Sequence, residues 1–209
     1  MVVAPMLLFI GNALHPVNHN RDEHEWLAGI PEHRPQWLVA HLFVFASLPL
    51  FVPAVLGLLH ALRRGSSRVA NAGVALAVWG AVGTAGFVAV EGLAAWQMTG
   101  APEDRDAMAG LLERFNETAA TFLPTGLATF VFSVALGLLG YALLRAGAKP
   151  RWPAAAIVAS RIVSCAALVV GHAADEYPMA VIAVADLLLF IGFAGVVLRL
   201  SRRRSPQPA

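Results

Sequence analysis

Three charged residues lie within long apolar stretches of this sequence, and they are the first candidates for chemistry. Glu91, Arg161 and Asp186 are each surrounded by mainly aliphatic residues. A charged side chain is costly inside a bilayer, so a residue that is kept there is a functional candidate by default. If the stretches are membrane helices, Glu91 lies about 10 Å below the outer membrane face, Asp186 about 12 Å and Arg161 about 16 Å.

Two kinds of site are expected from these residues. Arg161 and Asp186 lie in consecutive stretches joined by a short connection, so they are expected to pair, either to fix helix register or to hold Asp186 toward a ligand. Glu91 has no cation at its own depth, and His41 is the nearest candidate partner. A buried carboxyl without a cation favours its protonated form and can donate a proton or a hydrogen bond; the structural alternative is a neutral Glu91 bonded to a backbone carbonyl. We predict catalytic roles for Glu91, Asp186, Arg161 and His41.

Further polar and aromatic residues are predicted to line a cavity next to these groups. Threonines at steps of three and four share one face of a helix, and we expect that face to turn into the bundle. The aromatic rings are suited to stabilising a cation, although ordinary packing is the alternative role for each. The predicted substrate-binding residues are His172, Thr121, Thr125, Thr129, Trp79, Trp96, Phe87 and Phe122. Because the inner half is almost purely apolar, a cavity open outward or toward lipid is favoured over a channel.

The elements that must position these residues are transmembrane helices. Of the 209 residues, 58% are hydrophobic and 13% charged, whereas soluble domains carry about 25% charged residues. About 20 apolar residues span a bilayer. The sequence predicts an all-α bundle of six spans in one domain, 1–209, and the first span is short, so it either starts upstream or dips in only partway. The spans are 2–15, 36–62, 69–98, 118–144, 152–172 and 178–198.

Charge predicts how the helices are oriented. The segments 63–68, 145–151 and 199–209 contain ten basic residues and no acid, whereas eleven of the thirteen acids lie in the intervening connections. Basic connections stay in the cytoplasm, so both termini and the basic tail 199–209 are predicted to be cytoplasmic. With one lysine against fourteen arginines, the sequence points to a GC-rich bacterial genome, and hence to a multi-pass protein of the bacterial inner membrane.

The outer connections are expected to contain structure of their own. In 103–117, an apolar stripe of Met108, Leu111, Leu112 and Phe115 predicts a short amphipathic helix that lies on the membrane or caps the bundle. Trp26 and Trp37 bracket a polar stretch, as aromatic anchors at a membrane interface do. The basic residues are not interleaved with base-reading side chains, so no nucleic-acid partner is expected.

Metal and cofactor chemistry is weakly indicated by the sequence. The single cysteine, Cys165, excludes an internal disulfide and a multi-cysteine metal site. Six of the seven histidines lie on the outer side, but their spacing matches no compact zinc pattern. We therefore expect no metal and no cofactor, and a metal site in the 15–33 loop, beside Asp22, Glu23 and Glu25, is an alternative. A haem held by His41 and His172 is the alternative that the helix positions allow.

A resemblance adds to these observations. The His15-Pro16 pair after the first span, the Trp37 and His41 spacing at the start of the second and Glu91 late in the third resemble small multi-pass proteins of GC-rich bacteria. The architecture also resembles the small integral-membrane terpene cyclases, which use a Glu on an early helix and an Asp on the last helix. The resemblance implies that Glu91 and Asp186 are the catalytic acids here.

The function expected from the residues and the resemblance is acid–base chemistry. The expected substrate is a lipid-soluble small molecule of the isoprenoid class, with Glu91 as general acid. Asp186, oriented by Arg161, would stabilise a developing cation or remove the final proton. Two alternatives are a non-enzymatic membrane module, such as a small transporter, lipid-binding protein or accessory subunit, and a redox protein that binds haem or quinone.

Overall fold

The computed structural model describes residues 1–16, 23–62, 68–147, 149–174 and 178–202, without the side chains of residues 61, 102, 103 and 172–174. Within these ranges the chain consists of helices and short connections and contains no strand. The helices are α1 (Val3–Leu14), α2 (Glu23–Gly29), α3 (Arg34–Leu62), α4 (Arg68–Val88), α5 (Ala95–Met98), α6 (Pro102–Glu117), α7 (Ala119–Arg145), α8 (Trp152–Ala174) and α9 (Met179–Arg202), with a 3-10 turn at Ile30–His33 and a π-helical segment at Ala89–Ala94.

Five of the helical stretches are long and apolar enough to cross a membrane. They cover 20 to 38 residues each, and about 20 residues are needed. The 3-10 turn joins α2 to α3 and the π-helical segment joins α4 to α5, so each of these runs is continuous. Helix α1 has only 12 residues. The helical prediction is confirmed, and the five long helices indicate a multi-pass membrane protein.

The six predicted spans pack as a closed ring. Helix α1 contacts α3, α3 contacts α4, α4 contacts α7, α7 contacts α8, α8 contacts α9, and α9 returns to α1. The short helix therefore fills a position between α3 and α9. Its residues Ala4 and Leu8 are buried in the main core of the bundle.

Aromatic residues fill the centre of this ring. Phe51 of α3 packs edge-on against Phe132 of α7, with ring centroids 5.0 Å apart, and against Phe193 of α9 at 6.2 Å. All three rings are buried, as are Leu48 and Leu189 near them in the same core. Edge-to-face contacts of this kind are a favoured geometry for aromatic pairs, and they connect helices that are not neighbours in the ring.

Glycine allows α4 and α7 to approach closely. A Cβ atom on Gly80 would overlap the backbone of Phe132, and one on Gly83 would overlap the carbonyl of Pro124 and the side chain of Ala128. Small residues at membrane helix contacts let backbones come together in this way. Gly80 and Gly83 therefore have a packing role between α4 and α7.

Helices α2 and α6, which lie in two of the connections predicted to be outer, form a cap with its own apolar core. Leu27, Ile30 and Trp37 pack with Met108 and Leu112 of α6, separately from the main core. The predicted amphipathic helix is confirmed, and it caps the bundle. The stripe differs at one position, because Leu111 is 40% exposed while Ala109 is buried. Trp37 is also not an exposed interface anchor, since only 1% of its surface is exposed.

Candidate functional site

Arg161 and Asp186 form the ion pair expected from the sequence. Nη2 of Arg161 lies 2.6 Å from Oδ1 of Asp186. Arg161 is 5% exposed and Asp186 is 1% exposed. The pair joins α8 to α9 at a point where neither side chain reaches water, and charge-assisted hydrogen bonds of this kind are among the stronger ones in proteins.

Asn12 in α1 completes the pair and was missed by the sequence analysis. Its Nδ2 donates to Oδ2 of Asp186 at 2.6 Å, and Nε of Arg161 donates to Oγ of Ser160 at 3.1 Å. Each carboxylate oxygen of Asp186 therefore has a donor. We call Asn12, Arg161 and Asp186 the buried triad. A lone asparagine in an otherwise apolar helix is the only sequence signal for it.

Glu91 lies in a different environment from the buried triad. It is half-buried in the π-helical segment, and no hydrogen bond joins its carboxyl to another residue in the described part of the chain. The charged neighbour that acts on it is a second carboxylate, Glu23 in α2. Single π turns within α-helices occur frequently at functional sites.

Two side chains of α3 hold the π-helical segment in place. The indole Nε1 of Trp37 donates to the carbonyl of Gly92 at 3.0 Å. The ring of His41 occupies the space that a Cβ atom on Gly92 would need. Glu91 therefore precedes a residue that is fixed by two aromatic neighbours. The expected proximity of His41 to the helix of Glu91 is confirmed, but His41 contacts Gly92 and no hydrogen bond links it to the Glu91 carboxyl.

His41 also belongs to an aromatic cluster at the end of the bundle that carries the cap. It stacks on Trp37 with ring centroids 4.5 Å apart, and His15 lies 4.9 Å from His41 and 5.0 Å from Trp37. Trp26 of α2 meets Trp37 edge-on at 5.1 Å. We call these four residues the His–Trp cluster. His15 follows α1 directly, so α1 contributes to both the buried triad and this cluster.

The threonine face does not present free hydroxyls to the bundle. Oγ1 of Thr125 donates to the carbonyl of Thr121 at 2.6 Å, and Oγ1 of Thr129 donates to that of Thr125 at 3.2 Å. Thr121 itself bonds the carbonyls of Thr118 and Phe115. A hydroxyl in a helix readily bonds the carbonyl one turn earlier, and this local bond satisfies the donors that were expected to face a ligand.

The predicted aromatic lining is divided between two surroundings. Trp79 is 43% exposed and Phe122 is 45% exposed on the outside of the bundle, so neither ring is enclosed with the buried triad. The ring centroid of Phe87 lies 6.5 Å from that of Phe115, a residue of α6. The Trp96 ring is covered by the guanidinium of Arg34 at 4.8 Å. The side chain of His172 lies outside the described residues. The haem that His172 would hold with His41 therefore stays a prediction.

A cavity at the other end of the bundle is small. A cavity of about 10 Å³ is lined by Pro150, Pro153, Val196 and other residues, which is the room of about one water molecule. It lies at the end of α8 and α9 that is remote from Asp186, so it is not the outer-half cavity that was expected from the sequence.

Comparison with known proteins does not assign this chain to a family. No protein-family model matches the chain, and no curated protein or solved structure is significantly similar to it. Among the described residues, no group of three or more His, Cys, Asp or Glu is arranged to hold a metal ion. The class that the fold defines is a helical bundle with five membrane-length helices, and the likeness to terpene cyclases stays a prediction.

Proposed function

We propose that this protein is an integral-membrane enzyme that performs acid–base chemistry on a lipid-soluble, isoprenoid-like substrate, with Glu91 as the proton donor. The observation that carries the proposal is the isolation of Glu91. It is half-buried in a π-helical segment, without a hydrogen bond to the described residues and with a second carboxylate as its charged neighbour. An acid that is kept in a lipid environment without a structural partner is suited to exchanging a proton.

The reaction balances on Glu91 alone. Its carboxyl would transfer a proton to an alkene carbon of the substrate, giving a carbocation and a carboxylate. Loss of a proton from an adjacent carbon would form a new alkene and return the proton to Glu91, so the net change is an isomerisation or a cyclisation. An ordered acid contributes typically about 10²–10⁴-fold to such a step.

Asp186 is assigned a different role from the one expected. With Arg161 on one carboxylate oxygen and Asn12 on the other, the carboxylate is already neutralised and oriented. We propose that the buried triad positions α1, α8 and α9, and that Asp186 takes no proton during the reaction. His41 is proposed as a positioning residue, through its contact with Gly92 next to Glu91.

The proposed membrane topology has six crossings, with both termini in the cytoplasm of a bacterial cell and the cap on the outer side. It is supported by the position of α1 between α3 and α9. It is also supported by the charges of the sequence, because the segments 63–68, 145–151 and 199–209 contain ten basic residues and no acid, and basic connections stay in the cytoplasm. Cysteines placed singly at Ser66 and Gly100 in a Cys165→Ala background would test it. An impermeant thiol reagent on intact cells should label only the Gly100 variant, and the reverse pattern would place Glu91 near the cytoplasm.

A non-enzymatic module, such as a small transporter, lipid-binding protein or accessory subunit, is the second candidate. The specific observation in its favour is that most polar groups predicted for the site are satisfied internally. The buried triad pairs Asp186 twice, and the hydroxyls of Thr125 and Thr129 return to their own helix. A bundle of this kind binds or transports without needing a reactive group.

Isotope incorporation tests the enzyme directly. Membranes containing the protein would be incubated in D₂O with linear polyprenyl alkenes, and the products examined by gas chromatography and mass spectrometry. We expect an isomerised product with one carbon-bound deuterium, absent with Glu91→Gln and present with the exposed control Glu117→Gln. Equal product from Glu91→Gln would show that the proton donor is elsewhere, and no conversion by the wild type would favour the non-enzymatic module.

A further inference from the structure

The two histidines of the His–Trp cluster share a bonding pattern that fixes their tautomers. Nδ1 of His41 lies 2.9 Å from the carbonyl oxygen of Trp37, and Nδ1 of His15 lies 2.8 Å from that of Pro16. A carbonyl oxygen only accepts, so each Nδ1 carries the proton. In a neutral imidazole the other nitrogen, Nε2, then keeps its lone pair. Both rings therefore present Nε2 as a free base.

This pattern is the one found around metal-bound histidine. A ligating imidazole usually donates its second ring N–H to a backbone carbonyl or a carboxylate, which fixes the ring and raises its basicity. His15 and His41 both have this support, and they come from different parts of the chain. Neither ring uses Nε2 in a hydrogen bond within the described residues, and neither Nε2 is a fully enclosed atom.

The separation of the rings fits a single shared ion. Two imidazoles bound to one tetrahedral ion at about 2.0–2.1 Å place their ring centres about 5 Å apart. The observed centroids of His15 and His41 are 4.9 Å apart, with the ring planes inclined at 58°. Parallel stacking would align the planes, as it does for His41 on Trp37 at 29°. The contact between His15 and His41 is therefore not a parallel stack.

We propose that His15 and His41 bind one late first-row transition-metal ion, of the copper and zinc class, through their Nε2 atoms. Imidazole nitrogen suits these ions. Two protein ligands leave coordination positions open to water or to an oxygen of a small molecule, as catalytic metal sites do. The expectation of no metal was based on sequence spacing, which does not reveal that His15 and His41 meet. The metal site does not depend on the proposed role of Glu91.

Copper binding by purified protein tests the site. The protein would be prepared in lipid nanodiscs with a histidine-free tag, loaded with Cu²⁺ and studied by pulsed electron paramagnetic resonance, which counts coordinated imidazoles through their remote nitrogen. We expect one ion per chain with two imidazoles. Zn²⁺ should compete for it, because both ions use the same nitrogen ligands.

Asparagine variants separate the metal site from the fold. His15→Asn and His41→Asn keep a side-chain N–H near the position of Nδ1 and remove Nε2. Each should lose one imidazole from the spectrum and weaken binding by more than about tenfold, since even outer-shell changes cost about 10–100-fold. The exposed histidines His33 and His60 provide controls, and His33→Ala and His60→Ala should bind as the wild type does.

Specific outcomes would overturn the proposal. They are the lack of saturable copper binding by the wild type, an unchanged imidazole count in the His15→Asn, His41→Asn double variant, or an equal loss in the two controls. Thermal unfolding of each metal-free variant identifies loss of folding, and a variant that unfolds would be replaced by the corresponding Gln variant. Activity of Glu91→Gln is measured separately, so either proposal can fail alone.

Discussion

The two carboxyl groups of the membrane helices have opposite surroundings. Asp186 is 1% exposed and receives hydrogen bonds from Arg161 and Asn12, on two other helices. Glu91 is half-buried in a π-helical segment, and its charged neighbour is another carboxylate. Both residues meet the same criterion in the sequence, a charge in an apolar run. Partners therefore distinguish a structural acid from a candidate reactive one, and depth in the membrane does not.

Helix α1 and the residue that follows it contribute to two different sites. Through Asn12, the helix is attached to the buried triad, where both carboxylate oxygens of Asp186 accept a hydrogen bond. Through His15, which follows its last turn, it reaches the His–Trp cluster, where basic nitrogens remain available. One short helix thus connects the buried triad, which we propose to be structural, with the His–Trp cluster, which we propose to bind a ligand.

Glu91→Gln is expected to have the largest effect, on activity. Gln is nearly isosteric and keeps hydrogen-bonding capacity, but an amide cannot supply the proton, so turnover should be abolished while the unfolding temperature stays near that of the wild type. Glu91→Asp retracts the acid by about 1.5 Å and should retain about a hundredth of the rate. Product formation and thermal unfolding in nanodiscs measure the two properties, with Glu117→Gln as the control. If Gln destabilises the fold while activity per folded molecule survives, Glu91 is structural and the contrast with Asp186 disappears.

Asp186→Asn is expected to have the largest effect on stability. Removal of the carboxylate leaves the guanidinium of Arg161 buried without a counter-ion, and breaking a buried pair costs about 3–5 kcal/mol. The double variant Asp186→Leu, Arg161→Met should recover much of that free energy of unfolding, because no charge is left unpaired. Reversible unfolding in mixed micelles would measure it, with the exposed Glu32→Gln as a neutral control. Additive losses in the double-mutant cycle would indicate that the two side chains are not coupled.

Asn12→Leu should have an intermediate effect that is concentrated in α1. Its amide donates to a charged oxygen at 2.6 Å, and hydrogen bonds to charged groups contribute about 1.5–3 kcal/mol. Backbone hydrogen exchange within α1 should rise, while exchange in α7 changes little. Asn71→Leu replaces an exposed asparagine of α4 and is the matched control. Uniform exchange across the bundle in the Asn12 variant would contradict a local attachment of α1.

Much of the fold was predictable because it depends on local sequence properties. Hydropathy located the long helices, and the proximity of α8 and α9 along the chain made the Arg161–Asp186 pair predictable. Asn12 was not predictable, since 174 residues separate it from Asp186 and no pattern in α1 indicates its partner. The meeting of His15 and His41 is also a consequence of packing.

The π-helical segment at Glu91 was missed for a different reason. Sequence periodicity distinguishes helix from strand but carries little information on whether one turn is π-helical. Here the segment is accompanied by specific contacts, the Trp37 indole on the Gly92 carbonyl and the His41 ring against Gly92, which become visible only when α3 and α4 are placed side by side.

Thr125→Val is expected to have the smallest effect, and it tests whether the threonine face belongs with Asp186 or with Glu91. The hydroxyl of Thr125 donates to the carbonyl of Thr121 at 2.6 Å, a carbonyl that an α-helix already bonds through its own backbone. Valine has the same shape and removes only this additional bond, so the free energy of unfolding should change by no more than about 1 kcal/mol and turnover should be unchanged. Thr84→Val removes the equivalent bond to Gly80 at a buried position of α4 and serves as the matched control. A large loss of turnover in the Thr125 variant alone, without loss of stability, would mean that this hydroxyl turns from its own helix to a ligand when one is bound, and the reactive region would then extend from Glu91 across to α7.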